Sequence, residues 1–203
     1  VSYLTSPTGT APAPNGATPR GIGVPGFAHP LLAPAEWAEL LRCAGGFVLR
    51  QDAEGGGRAP LGAGPLHWAV LDVSNGPGSR PDPHCLPAAA RLRDAGVRLL
   101  GHLDMGRGTR PFGELLSDAH RYLEWYKADG FWLDRCPTDR ALLPTTRRLA
   151  TTLRALCGGH LVFGHGSHPH PGYAESADQL VTFAGSWADY RWSQVAWGHL
   201  PAP

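Results

Sequence analysis

Three aspartates each sit where a short apolar run ends: Asp72 in VLDVS, Asp104 in GHLDM and Asp134 in FWLDR. Neighbouring parallel strands lie about 4.8 Å apart. Carboxylates at one end of such strands approach within about 5–9 Å, the span over which a pair of acids cleaves a glycosidic bond, with retention at the short end and inversion at the long end. Mutual repulsion and partial burial would raise the pKa of one of them and leave an acid beside a base. Any single Asp could simply cap the loop that follows it. Three at one level point to a site, with Asp134, Asp104 and Asp72 as candidate catalytic groups.

Other residues surround these acids with binding chemistry. The loop SNGPGSRPDP (74–83) directly follows Asp72 and brings Asn75 to the same end of the sheet. Trp68, Trp125, Trp132, Trp187, Trp192 and Trp197, with Tyr173 and Tyr190, offer flat faces that stack on sugars, although core packing is the commoner use of such rings. Trp187, in the loop after the sixth strand-like run, is the best placed of them to meet a ligand. GHGSHPHPGY (164–173) carries His165, His168 and His170, which could ligate a transition metal. H-x-x-H-x-H in a Pro/Gly loop matches no established metal spacing, so the expectation is no metal and no cofactor. Cys43, Cys85, Cys136 and Cys157 are far apart without C-x-x-C spacing, which argues against structural zinc and for isolated thiols, two disulfides being the other option.

The elements that must hold these residues follow a rhythm. Strand-like runs fall at 21–27, 67–74, 97–105, 130–136, 160–166, 179–185 and 194–200. They are continuous rather than alternating, as in parallel strands covered on both faces. Helical patterns at 33–44, 87–96, 112–127 and 144–157 separate them. In the third, Phe112, Leu115, Leu116, Ala119, Leu123 and Tyr126 recur at three- and four-residue steps; in the fourth, Pro144 suits the first turn and Gly158-Gly159 the stop. Strand–helix alternation predicts an α/β fold with a parallel sheet, and seven strands point to a (β/α)8 TIM-type barrel lacking one recognisable strand. A doubly wound sheet is the alternative, but GIGVPG has the wrong spacing for a dinucleotide fingerprint. Residues 45–66 read as a loop over one face. Residues 1–20, rich in Pro, Thr and Gly, read as a linker or tail ahead of a domain spanning 21–203, and such a stretch after a removed leader favours secretion.

Composition narrows the partners. The 203 residues are 42% hydrophobic and 17% charged, which excludes a mainly disordered or coiled-coil chain. The formal charge of +1 leaves no footprint for nucleic acid, and no apolar run is long enough to span a membrane. Lys127 is the only lysine among 18 basic residues, a bias of GC-rich coding rather than of mechanism.

GVPGFAHP with Trp37, SNGPGSRPDP, AARLRDAGVRLLGHLDMGRGTRP, EWYKADGFWLD and LVTFAGSW occur in this order over 21–200 and together resemble the spherulation-specific family 4 (spherulin-4-like) proteins. The resemblance implies a (β/α) barrel of glycoside hydrolase type. It implies action on an amino-sugar polysaccharide of the galactosaminogalactan kind, at α-1,4-linked N-acetylgalactosamine, with polysaccharide or oligosaccharide as partner. The family's D-G-[IV]-F-F-D-E is here Asp129 to Arg135, which keeps Asp134 but replaces the adjacent Glu by Arg135. Its F-E-G-S-Y is Phe183 to Trp187, with Ala184 for Glu. Its G-Y-V-D-T is Gly101 to Met105, keeping Asp104 and carrying His102 for Tyr. Its N-P-x-S-G-P-G is Asp72 to Gly78, with Asp72 for Asn, and its N-P-G is Gly164-His165-Gly166. Arg135, Asn75, His102, Trp187 and His165 are therefore the expected substrate-binding positions. Loss of two Glu leaves two readings: a glycoside hydrolase rescued by Asp72, or a catalytically impaired carbohydrate-binding protein.

Overall fold

The computed structural model describes residues 21–26, 28–44, 66–186 and 188–190. The expected tail at 1–20, nearly all of the loop at 45–66 and the expected seventh strand at 194–200 lie outside the described residues, as does Trp187.

Six strands form one sheet: β1 (Ile22–Gly26), β2 (Leu66–Leu71), β3 (Arg98–Asp104), β4 (Gly130–Asp134), β5 (His160–Gly164) and β6 (Gln179–Val181). They pair in chain order, and every pair is parallel. Helices α1 (Pro34–Ala44), α2 (Cys85–Asp94), α3 (Phe112–Arg121) and α4 (Leu143–Cys157) fill four of the crossovers. A π-helical turn, Tyr122–Tyr126, extends α3 and stops at Lys127, whose φ of 56° is left-handed. Pro144 enters α4 in its first turn and Gly158, at φ 59°, closes it. The order is the βαβ repeat that the sequence rhythm requires.

Period-two alternation sorts the strand residues into two cores. Leu71, Leu99, Leu103, Phe131, Leu133 and Phe163 point outward, where Tyr122, Leu115 and Leu149 of the helical layer cover them. Gly101 permits this contact, because a Cβ there would stand 2.5 Å from the Tyr122 ring. Trp68, Val70, Leu100, Trp132, Val162 and Val181 point inward and form the second core. Trp68 Nε1 of β2 donates to Gln179 Oε1 of β6 at 2.7 Å. Four strand spacings separate these strands, about 19 Å in a flat sheet, too far for two side chains to meet. The sheet is therefore curled into a half-barrel around its inner core.

The N-terminal ends of β4 and β6 share a device. Asp129 Oδ2 accepts from Leu99 N and Asp178 Oδ2 accepts from Leu161 N, both at 2.8 Å. In each case the Asp backbone N–H returns a bond to the same residue's carbonyl. Each acid clamps the strand next to its own and fixes the register one residue before pairing begins. All four cysteines are free thiols, with Cys85 and Cys136 buried, which settles the open choice against disulfides.

Trp68→Phe keeps most of the buried ring but strands the Gln179 acceptor. It is expected to lower the unfolding free energy by about 1–3 kcal/mol, and Trp68→Phe with Gln179→Leu to recover most of that loss, because removing both polar partners is cheaper than removing one. Urea unfolding of the three chains measures it.

Candidate functional site

The parallel register aligns the acids. Asp104 of β3 and Asp134 of β4 are Cα partners at the C-terminal ends of their strands. His102 stands two residues before Asp104 on the same inward face, in register with Trp132. Asp72 follows the last residue of β2, whose partner on β3 is Gly101, so Asp72 stands level with His102. The inward face thus ends in four polar groups above a floor of Trp68 and Trp132.

The four groups differ in environment. Asp104 is buried and engaged: it accepts from Gly106 N at 2.8 Å, from Arg135 Nε at 2.7 Å and from a second guanidinium nitrogen. Burial pushes the Asp104 carboxyl up, but the hydrogen bonds of Arg135, Gly106 and Asn75 with the guanidinium charge outweigh it and hold the group below the usual carboxylate range. Asp134 is the open acid, with its side chain 33% exposed. Its Oδ1 accepts from Trp132 Nε1 at 3.3 Å and its Oδ2 stands 3.5 Å from His102 Nε2. Burial acts upward on it as well; the His102 imidazole, the Arg135 backbone N–H and Trp132 bring it down. On the far side of the ring, His102 Nδ1 lies 3.7 Å from Asp72 Oδ1.

The loops that carry these groups hold unusual backbone. Asn75 (φ 52°) and Arg135 (φ 47°) both occupy the left-handed region. Asn tolerates it; for Arg it costs energy that the surroundings must supply, a feature concentrated at functional sites. Both side chains converge on Asp104. Asp72 also accepts from Gly76 N at 2.8 Å, so it does shape its loop as well as face His102. The turn after β3 continues the strand pairing, with Met105 N donating to Asp134 O at 2.9 Å and Arg107 N to Arg135 O at 2.8 Å.

Of the positions expected from sequence, Asp72, His102, Asp104, Asp134, Arg135 and Asn75 gather at one mouth. His102 is 2% exposed and stands behind it rather than in it. His165 is not brought to the mouth: it packs edge-on to Phe163 and Tyr173 of the outer core. Its ring nitrogens lie beside the backbone of Cys136 and Pro137 without a hydrogen bond of ordinary geometry, and burial pushes the imidazole down to about 4. His170 Nδ1 accepts from Gly172 N at 3.1 Å, capping the 3₁₀ turn Pro171–Glu175. Among the described residues His165, His168 and His170 form no group that could share an ion. Sequence reasoning counted Trp132 among the rings that could stack on a sugar but singled out Trp187, although the step of two before Asp134 puts Trp132 on the same face. It also missed Arg110, which bonds Asp118 and reaches the Asp104 carbonyl at 3.4 Å. That role needs a contact across eight residues which no local pattern announces.

One group among the described residues joins three ligand types. His29, Asp82 and Cys85 bring their ligating atoms within 4.8 Å of one another. Asp82 Oδ1 already accepts from His84 N and Cys85 N at 2.8 and 2.9 Å at the start of α2. His29 Nδ1 accepts from Leu31 N at 3.2 Å, so the neutral ring carries its proton on Nε2, the atom facing Asp82 at 3.4 Å. A protonated Nε2 donates and does not ligate. Burial pushes the Cys85 thiol up to about 12, which keeps it neutral. The chemistry of the three fits a loop anchor better than a metal site.

The sequence profile of the spherulation-specific family 4 matches residues 66–200, well over half of the chain. The chain belongs to that family. The crystal structure of Aspergillus clavatus Sph3 in complex with GalNAc is similar in fold, with a TM-score of 0.67 over 90% of this chain and 73% of that one, at 19% identity. No curated protein matches the chain. At 19% the likeness is one of architecture.

Asp104 and Asp134 sit below the ordinary Asp value of about 3.9. Their contribution to stability is therefore present above that pH and is lost as pH falls through their folded values. Arg135→Gln is expected to raise the midpoint at which the Asp104 carboxyl titrates, read from its ¹³C shift, and to leave the fold intact by circular dichroism.

Proposed function

We propose that the chain is a glycoside hydrolase-like protein of the α-1,4-N-acetylgalactosaminidase type, acting on an amino-sugar polysaccharide at the mouth of its barrel, with Asp134 as the reacting carboxylate. The observation that carries this is the contrast between the two paired acids. Asp104 has its oxygens engaged by Arg135, Gly106 and Asn75, whereas Asp134 opens to solvent above an aromatic floor. An ionised Asp134 serves as base or nucleophile. The GalNAc bound by Sph3 supports the choice of sugar, and the six-stranded half-barrel supports reading the whole as a (β/α)8 barrel with 194–200 as a further strand. Nucleic acid and membrane are not among the proposed partners: the charge is +1, and no described helix is long and apolar enough to cross a bilayer. Secretion fits a polysaccharide outside the cell.

A second reading has its own observation. Arg135 replaces one Glu of the family pattern and neutralises Asp104; Ala184 replaces the other and is exposed without any proton to give. Neither Asp104 nor Asp134 holds a proton at neutral pH. Under this reading the mouth binds sugar and cuts poorly.

Both readings are separated with α-1,4-linked N-acetylgalactosamine oligomers and with α-N-acetylgalactosaminyl fluoride, whose leaving group needs no proton. A hydrolase cleaves the oligomers, and Asp134→Asn lowers that rate by about 10²–10⁴-fold. Cleavage of the fluoride alone, or calorimetric binding without cleavage, identifies the impaired form. No binding and no cleavage overturns the carbohydrate reading.

A further inference from the structure

Behind Asp134 the inward face holds a line of three polar side chains from three successive strands. Asp72 closes β2, His102 lies in β3 and Asp134 ends β4. The imidazole stands between the two carboxylates, 3.7 Å from one through Nδ1 and 3.5 Å from the other through Nε2. It is 2% exposed, so no sugar reaches it, and its only route to the reaction runs through the carboxylates it faces.

From this we infer that His102 is the positioning residue of the site: with Asp72 behind it, it aims Asp134 at the mouth. The inference rests on the reading that Asp134 is the reacting group. The ring stands in line between the two carboxylates, Nε2 toward Asp134 and Nδ1 toward Asp72, and in its neutral form it donates from one of the two nitrogens. An aspartate behind an imidazole serves the same end wherever a histidine must be held in one orientation for a reacting partner.

Other groups also face Asp134. From β3 these are Asp104 in register beside it, and His102. From β2, Asp72 acts across the ring. On its own strand stand Trp132 and, in the turn beyond, Arg135 and the buried thiol of Cys136, which Asp134 helps to push up. From β5 the neighbour is Gly164, which brings no charge; a Cβ there would lie 3.3 Å from Asp134 Oδ1. Asp104 and Arg135 offset each other, which leaves His102 as the first of the groups that lower the Asp134 carboxyl.

The test compares the full chain with His102→Phe and with His102→Tyr, the second keeping a ring with a polar tip. The Asp134 carboxyl is followed by ¹³C shift against pH. His102→Phe is expected to raise its titration midpoint. In the hydrolase assay kcat falls about tenfold or more at unchanged KM, and the acid limb of the pH profile moves up with the carboxyl. An Asp134 midpoint that stays at the wild-type value in folded His102→Phe, or in His102→Tyr should the Phe chain not fold, overturns the inference. If the midpoint moves but no chain cleaves any sugar, the hydrolase reading fails and the positioning role stands. A fall in kcat with the midpoint unmoved assigns His102 a packing role only and also overturns it.

Discussion

The site depends on register. β2, β3 and β4 are parallel and in phase, so residues equally far from their strand ends stand side by side on the same face. A slip of one residue in β4 would turn Asp134 to the outer face among leucines and bring Leu133 into the mouth. That error is prevented at the other end of the strand. Asp129 bonds Leu99 in both directions before β4 begins, and Asp178 does the same with Leu161 before β6. The acids that serve the fold lie at the bottom of the sheet, and those available for chemistry lie at the top.

Crowding three carboxylates at one rim is tolerated because each has a different partner. Asp104 takes a guanidinium, a backbone N–H and an amide. Asp72 takes Gly76 N–H, and Asp134 takes the indole of Trp132 and shares His102 with Asp72. Arg135 must adopt a left-handed backbone to reach back to Asp104, the acid in register with its own neighbour in sequence. The strain at Arg135 and the order at Asp104 are one arrangement. Neighbouring strand ends thereby hold one acid that is locked and one that is open.

Much of this was legible in the residues. The strand and helix rhythm anticipated all six strands and four helices within a few residues, because apolar runs that end in Asp and helices that end at Gly are local signals. The gathering of Asp72, Asp104 and Asp134 followed from the same pattern. What was not legible depends on contacts between distant elements. Trp68 offered an aromatic face on paper, and the fold uses its N–H to tie β2 to β6. His102 reads as a rim residue from its place near a strand end, yet one more step of two puts Asp104 above it and buries it. His165 follows β5 as Asp72 follows β2, but its odd step turns it outward against Tyr173. Strand parity decides each of these cases, and parity becomes certain only when the pairing is known.

The inner core also sets the direction from which the acids can be approached. Trp68 and Trp132 stand with ring centroids 5.6 Å apart and, with Val70, Leu100 and Val162, fill the space beneath the acids. Any molecule arriving at this rim meets a filled interior, so the acids are reached from the C-terminal ends of the strands and not through the sheet.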